Sequence, residues 1–261
     1  MLTILLHSSK TMRSERTGHT PLGRPMLESE AAVLSAIIKN RPEAIGPMMK
    51  LSPKKTEAVK KIWSDWTLDP DTGIPAIDAF IGDIYSGLQV SQWSAADREY
   101  AHSHLLILSG LYGALRACDG IRPYRLEMGY KLPTGVSLYE FWKKAAHGPI
   151  DVLHPRTSHI VNLSAVEYTK SILPYTDLPV ITPRFLTVSP KTGKPEFVTV
   201  HAKVARGAFA RWLIQGRVES LDRLRDFDDL NYAYDASLST DDEPAFVCQK
   251  FGGIGLSVRL T

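Results

Sequence analysis

Cysteine is scarce in this 261-residue chain: Cys118 and Cys248 lie far apart and neither belongs to a C-x-x-C pair. That excludes a disulfide framework and a zinc-finger spacing, and a reducing, cytoplasmic setting is the expectation. No stretch approaches the roughly 20 consecutive apolar residues of a membrane span, and MLTILLHSSK at the amino terminus has too short an apolar run, and no cleavage pattern, for a signal peptide. A soluble protein without a membrane role is expected. An excess of one charge is lacking too, since 31 Lys and Arg stand against 28 Asp and Glu, a formal net charge of +3. Such a balance permits an acidic partner without requiring one, so the placement of the charges has to decide.

Chemical signatures are equally sparse. The sequence offers no nucleophile paired with a base, no metal triad and no phosphate-binding loop. Its eight histidines are scattered. His102 and His104 have i,i+2 spacing, which on a helix points them apart, so neither a metal site nor a cofactor is expected. Direct iron binding finds no ligand spacing to support it.

What is present is ordinary for a globular protein: 44% hydrophobic and 23% charged residues, no repeat, no low-complexity tract and no linker. Strand and helix patterns alternate irregularly, which points to an α+β (mixed α/β) fold in a single compact domain over 1–261. Leu2 to Leu6 reads as a buried strand, left through the polar segment His7 to Thr11. Leu27 to Ile38 reads as an amphipathic helix. Pro42 starts a short helix through Met49, Leu51-Ser52 turns, and Pro53 starts another through Trp63. That is a helix-turn-helix shape over 42–63, with Lys54 and Lys55 at the start of its second helix and Lys60 and Lys61 further on. Residues 69–73 form a loop, and Ser94 and Ser137 cap helices through His104 and Ala146. Strands are expected over His159 to Ser164, Val180 to Val188 and Glu196 to His201, with a helix over Ala165 to Leu173.

Two stretches carry the chemistry. Leu105 to Leu132 begins as an apolar run, passes through Ser109-Gly110-Leu111-Tyr112-Gly113, and then gathers Arg116, Arg122, Arg125, Glu127 and Tyr124. A buried strand, a tight turn and a short helix are expected here. The helix start would offer backbone N–H groups as an anion cradle among arginines, unless the glycines only allow close packing. Arg125 and Glu127 would share a face of an extended segment and orient each other. From Lys203 to Arg217, about 100° per residue puts Val204, Ala205, Ala208, Phe209, Trp212 and Leu213 on one side and Lys203, Arg206, Arg211 and Arg217 on the other. If that cationic face joins Lys10, Lys54, Lys55, Arg116, Arg122 and Arg125, a surface that tracks phosphates results despite the small net charge. Acids at 222–229 and 241–243 would then lie elsewhere.

SGLYGALR at 109–116 followed by RPYRLEMGYKL at 122–132 closely resembles the YaaA family, bacterial proteins associated with peroxide stress. FIGDIYSGL at 80–88, LYEFW at 138–142, VNLS at 161–164 with Tyr168, and HAKVARG at 201–207 match in the same order. The resemblance implies a YaaA-type fold, a helix-hairpin-helix at 42–63, and DNA binding through a cationic cleft, largely without sequence specificity, in protection from peroxide and free iron. Lys10, Lys54, Lys55, Arg116, Arg122, Arg125, Lys203, Arg206 and Arg211 would hold double-stranded or partly unpaired DNA, and Tyr112 or Tyr124 would stack on bases. The alternative is an enzyme acting on a small anionic or nucleotide-like metabolite with Lys10, Tyr124, Arg125, Glu127 and Lys203. A closed cavity holding Arg125, Glu127 and Lys203 favours the enzyme; an open channel favours DNA. This chain also departs from the family pattern. His7-Ser8-Ser9 replaces Ser-Pro-Ala before Lys10-Thr11, and Val247-Cys248-Gln249 lacks the basic pair usual after the acidic segment.

Overall fold

The computed structural model describes residues 1–68 and 73–253, so the loop expected at 69–73, apart from Gly73, and the tail beyond 253 lie outside the described residues. LTILLH forms β1 (Leu2–His7), with five of its six residues buried. Continuous burial without alternation is what a strand covered on both faces requires. After β2 (Thr11–Met12), α1 (Glu28–Lys39) buries Ala31, Leu34, Ser35 and Ile38 along one stripe. α2 (Ile45–Met49) ends at left-handed Lys50, where the Leu51 amide donates to Gly46, and α3 (Pro53–Asp65) comes next. The helix-turn-helix shape over 42–63 is therefore present, but two helices and a turn do not by themselves identify a helix-hairpin-helix. Only Val59 and Trp63 of α3 are buried, which leaves Lys54 and Lys55 exposed.

β3 (Ile74–Pro75), α4 (Ala76–Ala79), β4 (Phe80–Ile81) and α5 (Asp83–Leu88) lead to α6 (Ala95–His104). Ser94 and Asp97 cap α6 reciprocally, which fixes its start where the sequence indicates it. β5 (Leu105–Ser109) is fully buried. The element after β5 differs from expectation: the turn leads into β6 (Gly113–Arg116), which folds back on β5, not into a helix. Gly113 adopts φ 66°, and the Ser109 hydroxyl accepts the Tyr112 amide at 3.0 Å. A three-residue loop closed by a left-handed glycine makes a hairpin, so no helix-start cradle forms here.

β7 (Gly120–Ile121) and the Ser137-capped α7 (Leu138–Lys144) precede β8 (His159–Asn162) and the one-turn α8 (Val166–Thr169). The single strand expected over 180–188 is two, β9 (Val180–Ile181) and β10 (Arg184–Val188), placed in different sheets. Pro183 lies between them, and its missing N–H breaks the ladder. The strand expected over 196–201 shrinks to β11 (Pro195–Glu196), because α9 (Thr199–Gln215) already begins at Thr199. β12 (Ala233–Tyr234) and β13 (Ala245–Cys248) complete the order. Mixed helices and strands thus pack as one compact domain around two larger sheets, with β2-β4 and β3-β7 forming two-stranded ones among the described residues. The main sheet runs β6-β5-β1-β8-β9, with β1 central and parallel to both β5 and β8; the second runs β11-β10-β13-β12.

α9 is buried nearly all round, through Ala202, Val204, Ala205, Gly207, Ala208, Phe209, Ala210, Leu213 and Ile214. Its cations do not form an open stripe. Arg211 pairs with Asp229, one of the acids expected to lie elsewhere, and Arg217 reaches Asp97 at 2.9 Å while lying over the Tyr100 ring. α5 crosses α9 at backbone contact: a Cβ on Gly207 would sit 1.8 Å from the Ile84 carbonyl oxygen, and one on Gly87 2.0 Å from that of Val204. Gly207→Ala is expected to cost about 3 kcal/mol or more by forcing the helices apart. Thermal denaturation checks this; a melting temperature close to that of the parent would contradict it.

Candidate functional site

β1, β5 and β8 run parallel and end on the same side at His7, Ser109 and Asn162, the place where open parallel sheets collect ligands. A cavity of about 590 Å³ opens there, within the range of small-molecule sites. Its walls are the β1 exit from His7 to Thr11, the segment Ile81 to Tyr85 at the start of α5, Glu127, the start of α8 at Ala165, Glu167 and Tyr168, and Lys203 from α9.

His7 is held in one tautomer. Its Nδ1 accepts the Ala165 amide at 3.2 Å, so Nε2 carries the proton, and the ring stacks on Tyr168 with centroids 4.9 Å apart. Burial, then the charges of Arg206 and Lys203, push its pKa down to about 3. The Tyr85 hydroxyl donates to the His7 carbonyl at 3.0 Å, Ser8 Oγ lies 3.4 Å from the Tyr168 hydroxyl, and Tyr124 and Ser109 share a hydrogen bond of 2.6 Å. Burial raises the pKa of Tyr85, Tyr124 and Tyr168, so these phenols stay protonated.

Among the described residues the Glu127 carboxylate and the Arg125 Nε beside it are without hydrogen bonds. Glu127 is 6% exposed, and neither carboxylate oxygen has a hydrogen-bond partner among the described residues. Arg125 Nε stands 3.6 Å from Oε1, an ion pair without a hydrogen bond. Burial raises the Glu127 pKa, Lys10 and Arg125 oppose that, and Glu167 adds to it. Glu167 itself accepts the Gly129 amide at 2.9 Å.

The residues anticipated from sequence separate into two groups. Lys10, Glu127 and Lys203 share the cavity wall; Arg125 stands against Glu127, Tyr124 is bound to Ser109, and Arg206 is near enough to influence His7. The others lie on different features. Lys54 and Lys55 are exposed on α3, Arg116 pairs with buried Asp119 at 2.8 Å, Arg122 lines a separate recess with Tyr112, and Arg211 holds Asp229. Tyr112 and Tyr124 are buried edge to face, and Tyr112 accepts the Trp66 indole N–H, so neither ring is free to stack on a base. His102 accepts the Cys118 amide while His104 turns to Glu219; among the described residues no group of His, Cys, Asp and Glu could hold a metal. The cavity lining is of mixed sign, with Lys10 and Lys203 against Asp83, Glu127 and Glu167. His7, Asp83, Tyr85, Glu167 and Tyr168 were not anticipated. His7 was within reach of sequence reasoning, since it ends the most apolar strand.

A family model described as peroxide stress protein YaaA matches residues 2–238. The chain belongs to the YaaA family. A UPF0246 protein of Salinispora tropica is 48% identical over 262 residues, covering 99% of this chain and 98% of the relative. UPF0246 proteins of Burkholderia pseudomallei and Burkholderia mallei are each 36% identical over 256 residues, covering 94% of this chain and 98% of each relative. Four of the six blocks that carry the YaaA resemblance reach the cavity: FIGDIYSGL supplies Ile81 to Tyr85, RPYRLEMGYKL supplies Glu127, the 161–168 block ends in Tyr168, and HAKVARG supplies Lys203. Among the described residues of this YaaA protein, no helix is long and apolar enough to cross a membrane.

A depressed histidine pKa stabilises the fold fully above the unfolded value near 6.5, and that contribution is lost as pH falls toward about 3. The parent is therefore expected to lose stability over that window more steeply than His7→Gln, as read by denaturant unfolding at stepped pH. Imidazole ¹⁵N spectra should show Nδ1 unprotonated at pH 5; titration of His7 near 6.5 would contradict the lowered pKa, and a protonated Nδ1 in the neutral ring the tautomer assignment.

Proposed function

We propose that this YaaA protein acts in the cytoplasmic response to peroxide through the cavity at the strand ends, where it binds and turns over a small metabolite bearing an anionic group, nucleotide-like or smaller. The observation that carries this reading is Glu127, a buried carboxylate on the wall of a cavity of about 590 Å³ whose oxygens accept no hydrogen bond among the described residues, Oε1 having only the ion pair with Arg125 at 3.6 Å. Leaving such a group without donors costs about 1–3 kcal/mol or more, a cost that a bound ligand removes. Lys10 and Lys203 serve as anion holders. Glu127, its pKa raised by burial, serves as the acid–base group, positioned by Arg125, and neutral His7 adds an uncharged N–H donor. Purified protein screened against metabolites by thermal shift should find a ligand whose stabilising effect falls in Glu127→Gln and Lys203→Met. An unchanged shift in both variants would remove the site from consideration.

A second reading, DNA binding that protects against oxidative damage, is supported by family membership and by α3. Lys54 and Lys55 are exposed in its first turn and form no ion pair among the described residues, whereas Lys60 and Lys61 are paired with Glu57 and Asp65. Unpaired lysines at a helix start, where the dipole also attracts phosphate, suit a backbone contact of the helix-hairpin-helix kind. Mobility-shift titrations across a salt series should give binding that weakens with salt, and Lys54→Ala/Lys55→Ala should flatten the log–log slope by about two. Binding indifferent to salt, or unaltered in the double variant, would rule out this surface.

A further inference from the structure

The chemistry of the cavity wall narrows the ligand beyond its size. The ionised carboxylate of Glu127 is an acceptor only, so its oxygens, which accept no hydrogen bond among the described residues, call for N–H or O–H donors and cannot be satisfied by an anion. Lys10 and Lys203 are donors only, and neither forms an ion pair among the described residues; they call for acceptors. Three carboxylates share the lining with the two lysines. A polyphosphate or a nucleic-acid backbone would bring like charge against Asp83, Glu127 and Glu167, while a simple cation would leave the lysines without acceptors.

We infer that the cavity takes a small zwitterion, a free α-amino acid in which the carboxylate meets Lys10 and Lys203 and the ammonium group is received by Glu127. This rests on the small-molecule reading above. Arg125 fits the assignment, because its Nε, ion-paired with Glu127 Oε1 at 3.6 Å, balances the buried charge from beyond hydrogen-bond distance. His7 fits as well. Its Nδ1 is taken by the Ala165 amide, which leaves Nε2–H as a donor that adds no third positive charge to the wall. The volume of about 590 Å³ leaves room for a large side chain beyond the two charged ends.

Calorimetric titration of the full-length protein tests this with matched probes. The twenty α-amino acids are each compared with their N-acetyl derivatives, which lose the ammonium group, and their amides, which lose the carboxylate; nucleoside monophosphates form a further arm. At least one amino acid should bind about tenfold or more tightly than either of its blocked forms, the difference that one charge-assisted hydrogen bond supplies. Glu127→Gln should reduce binding of the amino acid to the level of its N-acetyl form, and Lys203→Gln to the level of its amide. The comparison of blocked probes needs only the parent protein, so it stands even if a variant fails to fold. N-acetyl derivatives or nucleoside monophosphates binding as tightly as the amino acids would overturn the zwitterion while leaving the small-molecule site intact. Absence of binding in every arm, with the protein folded, would overturn both.

Discussion

The contact on which the rest of the site depends is the crossing of α5 over α9 at Gly87 and Gly207. Each glycine lies where a Cβ would be about 2 Å from a carbonyl oxygen of the other helix, so the two backbones touch directly. That approach does more than fill space. α5 begins at Asp83, beside the exit of β1, and drawing α9 onto it carries Lys203 to the same wall and Arg206 to within electrostatic reach of His7. A side chain at either position would hold the helices apart and move Lys203 away from Glu127. Gly87 of FIGDIYSGL and Gly207 of HAKVARG are thus packing residues whose effect is felt at the cavity.

A second layer of constraint comes from hydroxyl groups behind the strand ends. Tyr85, Tyr124 and Tyr168 are buried, and each hydroxyl meets a polar group near the site: the His7 carbonyl, Ser109 and Ser8. Buried polar groups are tolerated when they are paired, and the paired ones are rigid. Against that background Glu127 differs, since its oxygens accept no hydrogen bond among the described residues. The phenols are satisfied within the chain, whereas the Glu127 oxygens have, among the described residues, only the ion pair with Arg125 at 3.6 Å.

How much of this was legible in the sequence depended on the range of the interaction. Local signals were sound: the caps at Ser94 and Ser137, the proline starts at Pro42 and Pro53, and the buried runs of β1 and β5 are where residue chemistry puts them. Tertiary decisions were not readable. SGLYG looks like a strand leading to a helix, and only pairing with β5 makes it a hairpin. The cationic side of α9 looks open on a helical wheel, whereas Asp229 and Asp97 close over Arg211 and Arg217 from distant parts of the chain. Lys10, Glu127 and Lys203 were anticipated from separate blocks and do share a wall. The carboxylates of Asp83 and Glu167 were missed, because a lone acid in a sequence carries no sign of which cavity it faces.

The departure at residues 7–9 shows how the Lys10 wall keeps its shape without the proline of the family pattern. The Ser8 amide donates to the Leu108 carbonyl at 2.8 Å, continuing the ladder between β1 and β5 one step past His7. A proline at position 8 has no amide to give, so this bond is available only to the departed sequence. Ser9 adds a second tie, its hydroxyl donating to the Ile81 carbonyl across the cavity mouth. Ring rigidity is replaced by hydrogen bonds to β5 and β4, and Lys10 is delivered from an anchored segment. The same segment places the His7 imidazole where the resemblance to the family implies a serine hydroxyl. A ring that stacks on Tyr168 and fixes its own tautomer through Ala165 is a larger and more directional donor than a rotating hydroxyl. This YaaA protein therefore presents Lys10 on the cavity wall beside an imidazole whose orientation is fixed by its neighbours.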